Sequence, residues 1–489
     1  MANLSDLLPQ GGGQNNTDFV ADGNISAGAP VILTSDGKVS GISETAGSMG
    51  TPDDQGTSYQ VSGTSGAAYH ITNNSIILCW PAGASNYYPT AAVATISGTT
   101  MTMNSPTVIT SSGTSFCRCV YDQTQNVVVF YYKLRGGSSI KCKAATVSGS
   151  TFSFGSEASA FSGSSYGDAN EGDISNLDDS KVVICWGNVS GSSAQVVSIS
   201  GTSLTMNTAV SVFGGNTIPL RMASGKKGEF VCAGGSTSKM SFVACTVSGT
   251  TITAGTATDI SGGTSQYNDI ASGFWNGYTS PESTYIAAYH DPGASGGTSL
   301  ARVITVSGTT LTLGATTSLT ADPDYNEPAM GWGGSATQAV YYYRSNSSSS
   351  DGKVVELNYS GTTITEGSIT TVGYKNYSNW GVTTDQSVKK SIVLYMDGSN
   401  SDAAEVNVFS PTSSNLTATN LLGLAPSAIS DTATGTINTW GSRNEAQSSL
   451  TIGSDYYVQT DGTLSTDTGG QLIGNAIKTN QINIKDYTG

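Results

Sequence analysis

Histidine is the side chain most often used as a general base, and this chain contains two, His70 and His290. His290 precedes Asp291 in the segment YHDPGASGG, and serines are abundant, so a Ser-His-Asp arrangement has to be weighed. The string G-x-S-x-G occurs at 163–167 and at 293–297. A nucleophile elbow needs this string between a strand and a helix, and no helical pattern follows either copy. We therefore expect no catalysis by His290.

Carboxylates are concentrated in two stretches, DANEGDISNLDD at 168–179 and DPDYNE at 322–327. Glycoside hydrolysis needs a pair of carboxylates that converge on one bond. Neither stretch carries the repeated Asp-box of sialidase-type enzymes, and arginines are sparse, so we expect solvated loop carboxylates here. Oxygen donors suit calcium, but the spacing is not that of an EF-hand. The candidate calcium ligands are Asp322, Asp324, Asn326 and Glu327.

The seven cysteines favour a structural role. Three of them fall inside apolar strand patterns, as small buried hydrophobic residues do. The C-x-C pair has no second pair and no histidine at zinc-site spacing. We expect seven reduced thiols, no metal and no cofactor. The cysteines are Cys79, Cys117, Cys119, Cys142, Cys185, Cys232 and Cys245.

Tyrosines in polar segments are the best candidates for ligand contact. Tyr87 and Tyr88 lie in GASNYYP, after an apolar strand, and Tyr325 lies in DPDYNE. Loop tyrosines can stack on sugar rings or anchor a protein partner. The alternative is that they cover the edge of a sheet.

Composition limits the classes of partner. The 489 residues carry 35 acidic and 20 basic side chains, for a formal charge of −15. An acidic surface repels phosphate backbones, so we expect no nucleic-acid binding. No apolar run approaches the length of a membrane span, and the N-terminus lacks the basic and apolar regions of a signal peptide. We expect a protein that folds in a cytoplasm and does not insert into a membrane.

One hairpin pattern recurs along the chain. The segment ARVITVSGTTLTL at 301–313 alternates apolar and polar residues on both sides of a Ser-Gly-Thr turn, which is typical of a β-hairpin. Close copies occur every 48 to 59 residues, and such a period indicates a repeat architecture. The serine before each turn glycine is Ser97, Ser148, Ser200, Ser248, Ser307 or Ser360.

Each repeat contains a strongly apolar strand ahead of the hairpin. A weaker strand precedes it, and Trp275, Trp332 and Trp380 occupy similar places in three of these weaker strands. Four strands in about 50 residues is the size of a propeller blade. We therefore predict an all-β protein with a seven-bladed β-propeller over 58–416, rather than a solenoid or separate sandwiches. The apolar strands are Ile76–Trp80, Val127–Tyr132, Val182–Trp186, Phe230–Cys232, Tyr285–Tyr289, Ala339–Tyr343 and Ile392–Met396. In the seventh repeat a degenerate hairpin is expected at Val406–Leu416.

The two ends of the chain resemble each other. ISAGAPVILTSDGKVS at 25–40 aligns with LTIGSDYYVQTDGTLS at 450–465. After a flexible leader at 1–16, we predict one small β-sandwich or barrel module formed by 17–45 and 417–489, with the propeller inserted into it. Two separate β-units are the alternative.

The leader MANLSDLLP, the blades that close with VSGTT and the ending SSLTIGSDYYVQTDGTLST resemble virion structural proteins of tailed bacteriophages, notably marine ones. Proteins of this kind are described as tail-fibre-like or receptor-binding. The resemblance extends over nearly the whole chain. It departs in the seventh hairpin and in the irregular spacing around 261–299.

The resemblance implies a non-enzymatic protein on the virion surface, assembled in the host cytoplasm. It implies attachment to other virion proteins through the β-module, a propeller that binds a host-surface glycan or protein, and a homo-oligomer, by analogy a trimer. A capsid or tail decoration protein without a receptor role is one alternative. A tailspike-like enzyme that degrades polysaccharide is another, and a cellular adhesin or lectin is a third.

Overall fold

A computed structural model gives the architecture of most of the chain. It describes residues 15–54, 64–83, 86–136, 139–162, 172–177, 179–188, 191–214, 220–235, 240–260, 268–272, 283–291, 298–320, 328–333, 337–345, 351–373, 376–385, 387–398 and 402–485. Strands dominate these residues, which contain no α-helix and therefore no helix that could cross a membrane. The prediction of an all-β protein is confirmed. Residues 1–14 of the expected leader lie outside the described residues.

The chain divides into two compact units. We call Met1–Ala46 with Thr412–Gly489 the terminal unit, and Gly47–Pro411 the central unit. The strands before the first repeat are β1 Asn16–Val20, β2 Pro30–Leu33, β3 Val39–Gly41, β4 Glu44–Thr45, β5 Ser48–Met49 and β6 Asp53–Asp54.

The repeats of the central unit form sheets 1 to 7. Sheet 1 contains β7 Gly66–His70, β8 Ser75–Ala82, β9 Tyr88–Ser97, β10 Thr100–Met103 and β11 Thr107–Val108. Sheet 2 contains β12 Thr114–Asp122, β13 Val127–Leu134, β14 Ser139–Ser148, β15 Thr151–Phe154 and β16 Ala158–Ser162. Sheet 3 contains β17 Gly172–Asn176, β18 Lys181–Asn188, β19 Gly191–Ser200 and β20 Ser203–Gly214. Sheet 4 contains β21 Leu220–Ser224, β22 Glu229–Gly235, β23 Met240–Ser248, β24 Thr251–Ala254 and β25 Thr258–Asp259.

The remaining strands complete the central unit and return to the terminal unit. Sheet 5 contains β26 Asn268–Ser272, β27 Thr284–Asp291, β28 Thr298–Ser307, β29 Thr310–Leu313 and β30 Thr317–Ser318. Sheet 6 contains β31 Ala329–Trp332, β32 Gln338–Arg344, β33 Gly352–Ser360 and β34 Thr363–Gly373, and sheet 7 contains β35 Asn376–Asp385, β36 Lys390–Asp397 and β37 Ala403–Ser410. The last strands are β38 Ser413–Ser414, β39 Leu421–Leu424, β40 Thr434–Asn438, β41 Arg443–Asn444, β42 Asp455–Val458, β43 Leu464–Ser465, β44 Gln471–Lys478 and β45 Gln481–Ile484.

Each sheet of the central unit is an antiparallel series in which the strongly apolar strand comes second. In sheets 1 to 6 the Ser-Gly-Thr or Ser-Gly-Ser turn joins the third strand to the fourth, as the sequence predicts. Its glycine has a positive φ in each of the six turns, for example 62° at Gly98 and 58° at Gly361. This conformation is costly for any residue with a Cβ, which explains why the glycine recurs.

The seven sheets are held together by a cycle of contacts. The first strand of each sheet contacts the first strand of the next, and β35 of sheet 7 contacts β7 of sheet 1. Each neighbouring pair of sheets shares one hydrophobic cluster. Sheets 7 and 1 share another, which contains Trp80, Leu78 and Leu394. Within the described residues, the series of sheets therefore closes on itself.

The outer strand of sheet 7 does not come from the seventh repeat. The segment 48–54 supplies it: β5 pairs with β37 in the register Met49 to Phe409, and β6 also pairs with β37. The expected hairpin at Val406–Leu416 is therefore wrong beyond Ser410. Pro411 ends β37, since proline has no N–H for a ladder, and β38 pairs with β4 of the terminal unit.

The terminal unit contains two sheets with the same strand order. The N-terminal sheet runs β1-β40-β39-β2-β3 and the C-terminal sheet runs β41-β45-β44-β42-β43. The Gly28 N–H donates to the Ala425 carbonyl at 2.8 Å, and the Gly453 N–H donates to the Ala476 carbonyl at the same distance. The two sheets are thus copies of one five-stranded unit. The first copy is interrupted between its third and fourth strands, where the second copy has only the link 466–470.

Because segment 48–54 completes sheet 7, we expect a substitution of its glycine to destabilise the fold. A Cβ on Gly50 would overlap the carbonyl oxygen of Thr99 and press on Val408. We expect Gly50→Ala to lower the free energy of unfolding by about 1–3 kcal/mol, because backbone cannot move aside cheaply. Chemical denaturation followed by tryptophan fluorescence measures this loss. Gly214→Ala, where a Cβ meets nothing within 4 Å, is the matched control and should change stability by less than about 0.5 kcal/mol.

The duplicated sheets predict that the terminal unit folds without the central unit. Thr45 pairs with Ser413, so removal of Gly47–Pro411 leaves a two-residue connection between β4 and β38. An Asn-Gly pair at positions 46 and 412 suits a two-residue hairpin. We expect this shortened chain to be folded, with dispersed amide NMR signals and cooperative unfolding. A collapsed NMR spectrum would contradict the independence of the unit.

Candidate functional site

Tyr87 joins two sheets instead of projecting freely. It lies in the turn before β9 with φ +63°, and its carbonyl accepts the Thr114 N–H of sheet 2 at 2.8 Å. The guanidinium of Arg135 lies 3.5 Å from the centre of its ring, which is cation–π geometry. Tyr88 begins β9, is half-buried and pairs with Ala82. Ligand contact by these two rings stays a prediction, and Tyr325 lies outside the described residues.

His70 is a buried neutral imidazole. Its Nδ1 accepts the Asn73 N–H at 3.3 Å, and its ring lies 4.2 Å from that of Tyr121. Burial lowers the pKa of His70, so the ring carries no charge at neutral pH. Both observations indicate a structural residue. The side chain of His290 lies outside the described residues.

Where they are described, the carboxylate stretches contribute one largely buried ion pair and one exposed ion pair. Asp173 accepts the Met222 N–H at 2.9 Å and lies 3.5 Å from Arg118. Asp179 pairs with Lys227 at 2.5 Å, which lowers the pKa of Asp179. The candidate calcium ligands at 322–327 lie outside the described residues. Elsewhere in the described chain, no group of three or more His, Cys, Asp or Glu is placed to hold a metal.

A carboxylate with a raised pKa lies in sheet 7. Burial is the main cause that raises the pKa of Glu405 to about 7; the negative charges of Asp397 and Asp54 add to it, and the hydrogen bond from Tyr395 opposes it. The Tyr395 hydroxyl donates to Glu405 Oε2 at 2.9 Å. Asp54 lies directly opposite Glu405 in the pairing of β6 with β37. Glu405 is therefore part of the seam where segment 48–54 completes sheet 7.

All seven cysteines are buried free thiols. The prediction that Cys79, Cys185 and Cys232 pack as small core residues is confirmed, since none of them is exposed. The Cys79 thiol donates to the Cys117 carbonyl at 3.3 Å, and burial raises the pKa of both thiols. Such thiols are poor nucleophiles at neutral pH.

The first strands of the sheets enclose two adjoining cavities. The first cavity has a volume of about 140 Å³. It lies beside Arg118 and Asp173 and is lined almost entirely by polar atoms. The Nε of Arg118 is buried and makes no hydrogen bond within the described residues. Hydrogen bonds from one first strand to the next contribute to the wall of this cavity, for example from the Met222 N–H to Asp173 Oδ2 at 2.9 Å.

The second cavity is the larger of the two and is a candidate binding site, which we call the chamber. It has a volume of about 220 Å³ and is lined by three consecutive residues from each of six first strands. Its aromatic lining residues are Tyr69, Tyr121 and Trp332, and the two tyrosine rings are almost wholly buried in the clusters between neighbouring sheets. Asn176 and Ser224 supply polar groups. The mixture of apolar surface and a few convergent polar groups is typical of small-molecule sites.

The sequence did not identify this chamber. The strands that line it are the weak first strands, whose residues differ from repeat to repeat, so no motif marks them. The placement of Trp332 in a weak strand ahead of the apolar strand was the available signal. The structure brings Trp332 together with Tyr69 and Tyr121, whereas it places Tyr87 outside the lining of the chamber.

Fold and site together define an all-β repeat protein with a candidate chamber between its first strands. No protein-family model matches the chain, and no curated protein matches it. It is similar to the structure of a Lactobacillus plantarum protein, at 11% identity and TM-score 0.45 over 62% of this chain and 83% of that one. It is also similar to a variant of AofleA from Arthrobotrys oligospora, at 10% identity and TM-score 0.43 over 86% and 98%.

A further similar structure is that of Sqt1 from Chaetomium thermophilum, bound to the N-terminus of a ribosomal protein. The identity is 11% and the TM-score 0.42, over 71% of this chain and 86% of that one. Likenesses at this level carry no functional argument.

Because Glu405 lies in the seam and has a raised pKa, we expect the free energy of unfolding to depend on pH. The folded pKa of about 7 lies above the ordinary value of 4.5, so the folded state binds the extra proton. Stability should therefore fall as pH rises from 4.5 to 7. Glu405→Gln mimics the protonated form and should unfold near the wild-type midpoint at pH 4.5, but be more stable by up to about 3 kcal/mol at pH 8, where the wild type has lost the proton. Urea titrations at both pH values measure this, and equal effects at both would contradict it.

Proposed function

We propose that the central unit is a seven-bladed β-propeller, carried on a β-sandwich-like module that both chain ends build. The proposal is supported by the common strand order of sheets 1 to 7 and by the cyclic contacts of their first strands. It is further supported by the hydrophobic cluster between sheets 7 and 1. The strand exchange at sheet 7 gives the propeller a seam that holds its first and last strands together.

We propose further that the protein is a non-enzymatic structural protein of a bacteriophage particle. Its terminal unit attaches to other virion proteins and its propeller binds the host surface. The observation that carries this proposal is that the chain has two distinct parts. Both chain ends belong to a duplicated β-unit, and a large closed repeat unit is inserted into one of its copies. Together with the resemblance of the leader and ending to virion proteins, this arrangement supports a terminal unit that attaches to the virion and a propeller that faces the host.

A binding role agrees with how the described titratable groups are used. His70 is buried and neutral, and Glu405 lies in the seam between strands. Arg118 is paired with Asp173. We propose a homo-oligomer on the virion surface, by analogy a trimer, with a host glycan or protein as the partner.

Labelling of the particle tests this proposal. Electron microscopy with an antibody against the purified chain should place label on the virion, at the tail tip or baseplate for a host-binding role. Fluorescent protein should bind host cells and compete with adsorption of the particle, whereas heat-unfolded protein should not. Label spread over the head, without host binding, would replace adhesion by decoration. Absence of label from purified particles would overturn the proposal.

A further inference from the structure

We propose that the chamber binds one uncharged sugar ring, a pyranose with free hydroxyl groups. This inference deepens the proposed function and depends on it for its biological role, because it names the class of glycan unit that the propeller would recognise. The site is formed by residues at or near the end of each first strand, on the side where the first strand leads into the second.

The size of the chamber fits a single six-membered ring. A dry cavity of about 150 Å³ accepts benzene. The chamber has about 220 Å³, which leaves room for hydroxyl substituents. The adjoining polar cavity shares lining residues with it, among them Ala67 and Met330, so the two spaces lie side by side.

The charge of the lining favours a neutral ligand. None of the described residues that line the chamber is Asp, Glu, Lys or Arg. The charged pair Arg118 and Asp173 lies in the adjoining cavity, where each partner already neutralises the other. A charged ligand would lose its hydration in the chamber without a countercharge.

The two tyrosine side chains of the lining are fixed in place. The Tyr69 hydroxyl donates to Asn74 Oδ1 at 2.8 Å, and the Tyr121 hydroxyl donates to Asn126 Oδ1 at 2.9 Å. Each asparagine has a positive φ at the turn after its first strand. The two rings are therefore pre-oriented, which lowers the entropy cost of binding.

Trp332 supplies an unsatisfied donor. Its indole Nε1 is buried and has no hydrogen-bond partner among the described residues, although it belongs to the lining of the chamber. A buried N–H without a partner costs about 1–3 kcal/mol. A sugar hydroxyl oxygen that accepts from Nε1 would recover this energy while the ring covers the indole face.

The lining is chemically asymmetric, although the sheets are repeats. Six residues, one from each of six first strands, show this; each lies opposite the first apolar residue of its second strand, or opposite the second one in sheet 2. Because the side chains around the chamber differ, a ligand has one preferred orientation. Identical side chains would offer several equivalent orientations. These residues are Tyr69, Tyr121, Asn176, Ser224, Trp332 and Thr383.

Ligand-observed saturation-transfer NMR on the full chain tests the inference. The probes are free glucose, galactose, mannose, N-acetylglucosamine and N-acetylgalactosamine, with glucuronate and glucosamine as charged analogues. We expect at least one neutral sugar to bind with a Kd of about 1–10 mM, and its charged analogue to bind at least about tenfold more weakly. No transfer to any neutral sugar, or equal binding of charged analogues, would overturn the inference.

Substitutions in the lining test whether the sugar binds in the chamber. Trp332→Phe removes the indole N–H and should weaken binding about tenfold, whereas Trp80→Phe is the matched control. Trp80 is fully buried in the cluster between sheets 7 and 1, outside the chamber lining, so its variant should bind as the wild type does. Thr383→Val tests the lining a second time if Trp332→Phe fails to fold.

Unchanged affinity in every folded lining variant would refute the chamber as the site. The proposed function is decided separately, by particle labelling, so the two can fail independently.

Discussion

Burial of both faces of every sheet is the constraint on which the central unit depends. A row of seven sheets would leave one apolar face exposed at each end. The cluster between sheets 7 and 1 contains ten buried side chains larger than alanine. At about 1.5–3 kcal/mol for each large side chain, exposure of this cluster would cost more than the 5–15 kcal/mol net stability of an ordinary domain. Closure is therefore a condition of folding for this unit, and the polar space between the first strands is its consequence.

The hairpin periodicity predicts most of this arrangement, because the turn imposes a backbone requirement that leaves a clear trace. Gly98 and its five counterparts need a positive φ, so the Ser-Gly-Thr string persists while neighbouring residues vary. The apolar strands are equally visible, since burial on both faces favours aliphatic, Cys and aromatic side chains over polar ones. Both features are local in sequence, and local features are those that a single sequence expresses best.

The seventh sheet shows where this reasoning fails. Its outer strand comes from residues about 360 positions earlier in the chain, and no local pattern reports such a pairing. A weak signal exists, because SMGTPDD at 48–54 resembles TAGTATD at 253–259, the corresponding part of sheet 4. Gly50 and Gly255 each donate an N–H to the third strand of their sheet, at 2.8 and 2.9 Å. The chamber is harder still to predict from the sequence, because its lining residues differ from repeat to repeat and Trp332 is the one that the sequence pattern marked.

Closure also explains why so large a unit can lie inside a small one. In the terminal unit, Thr45 and Ser413 are direct partners, so any insertion between them must begin and end at neighbouring points. In the central unit, Ser48 and Ser410 are direct partners, because the first and last strands complete the same sheet. The strand exchange therefore does two things at once: it removes the exposed faces of an open row, and it brings the ends of the insert to the separation that the interrupted β-unit requires. An open row of the same sheets would satisfy neither condition, which is why repeat number, seam and insertion point have to be explained together.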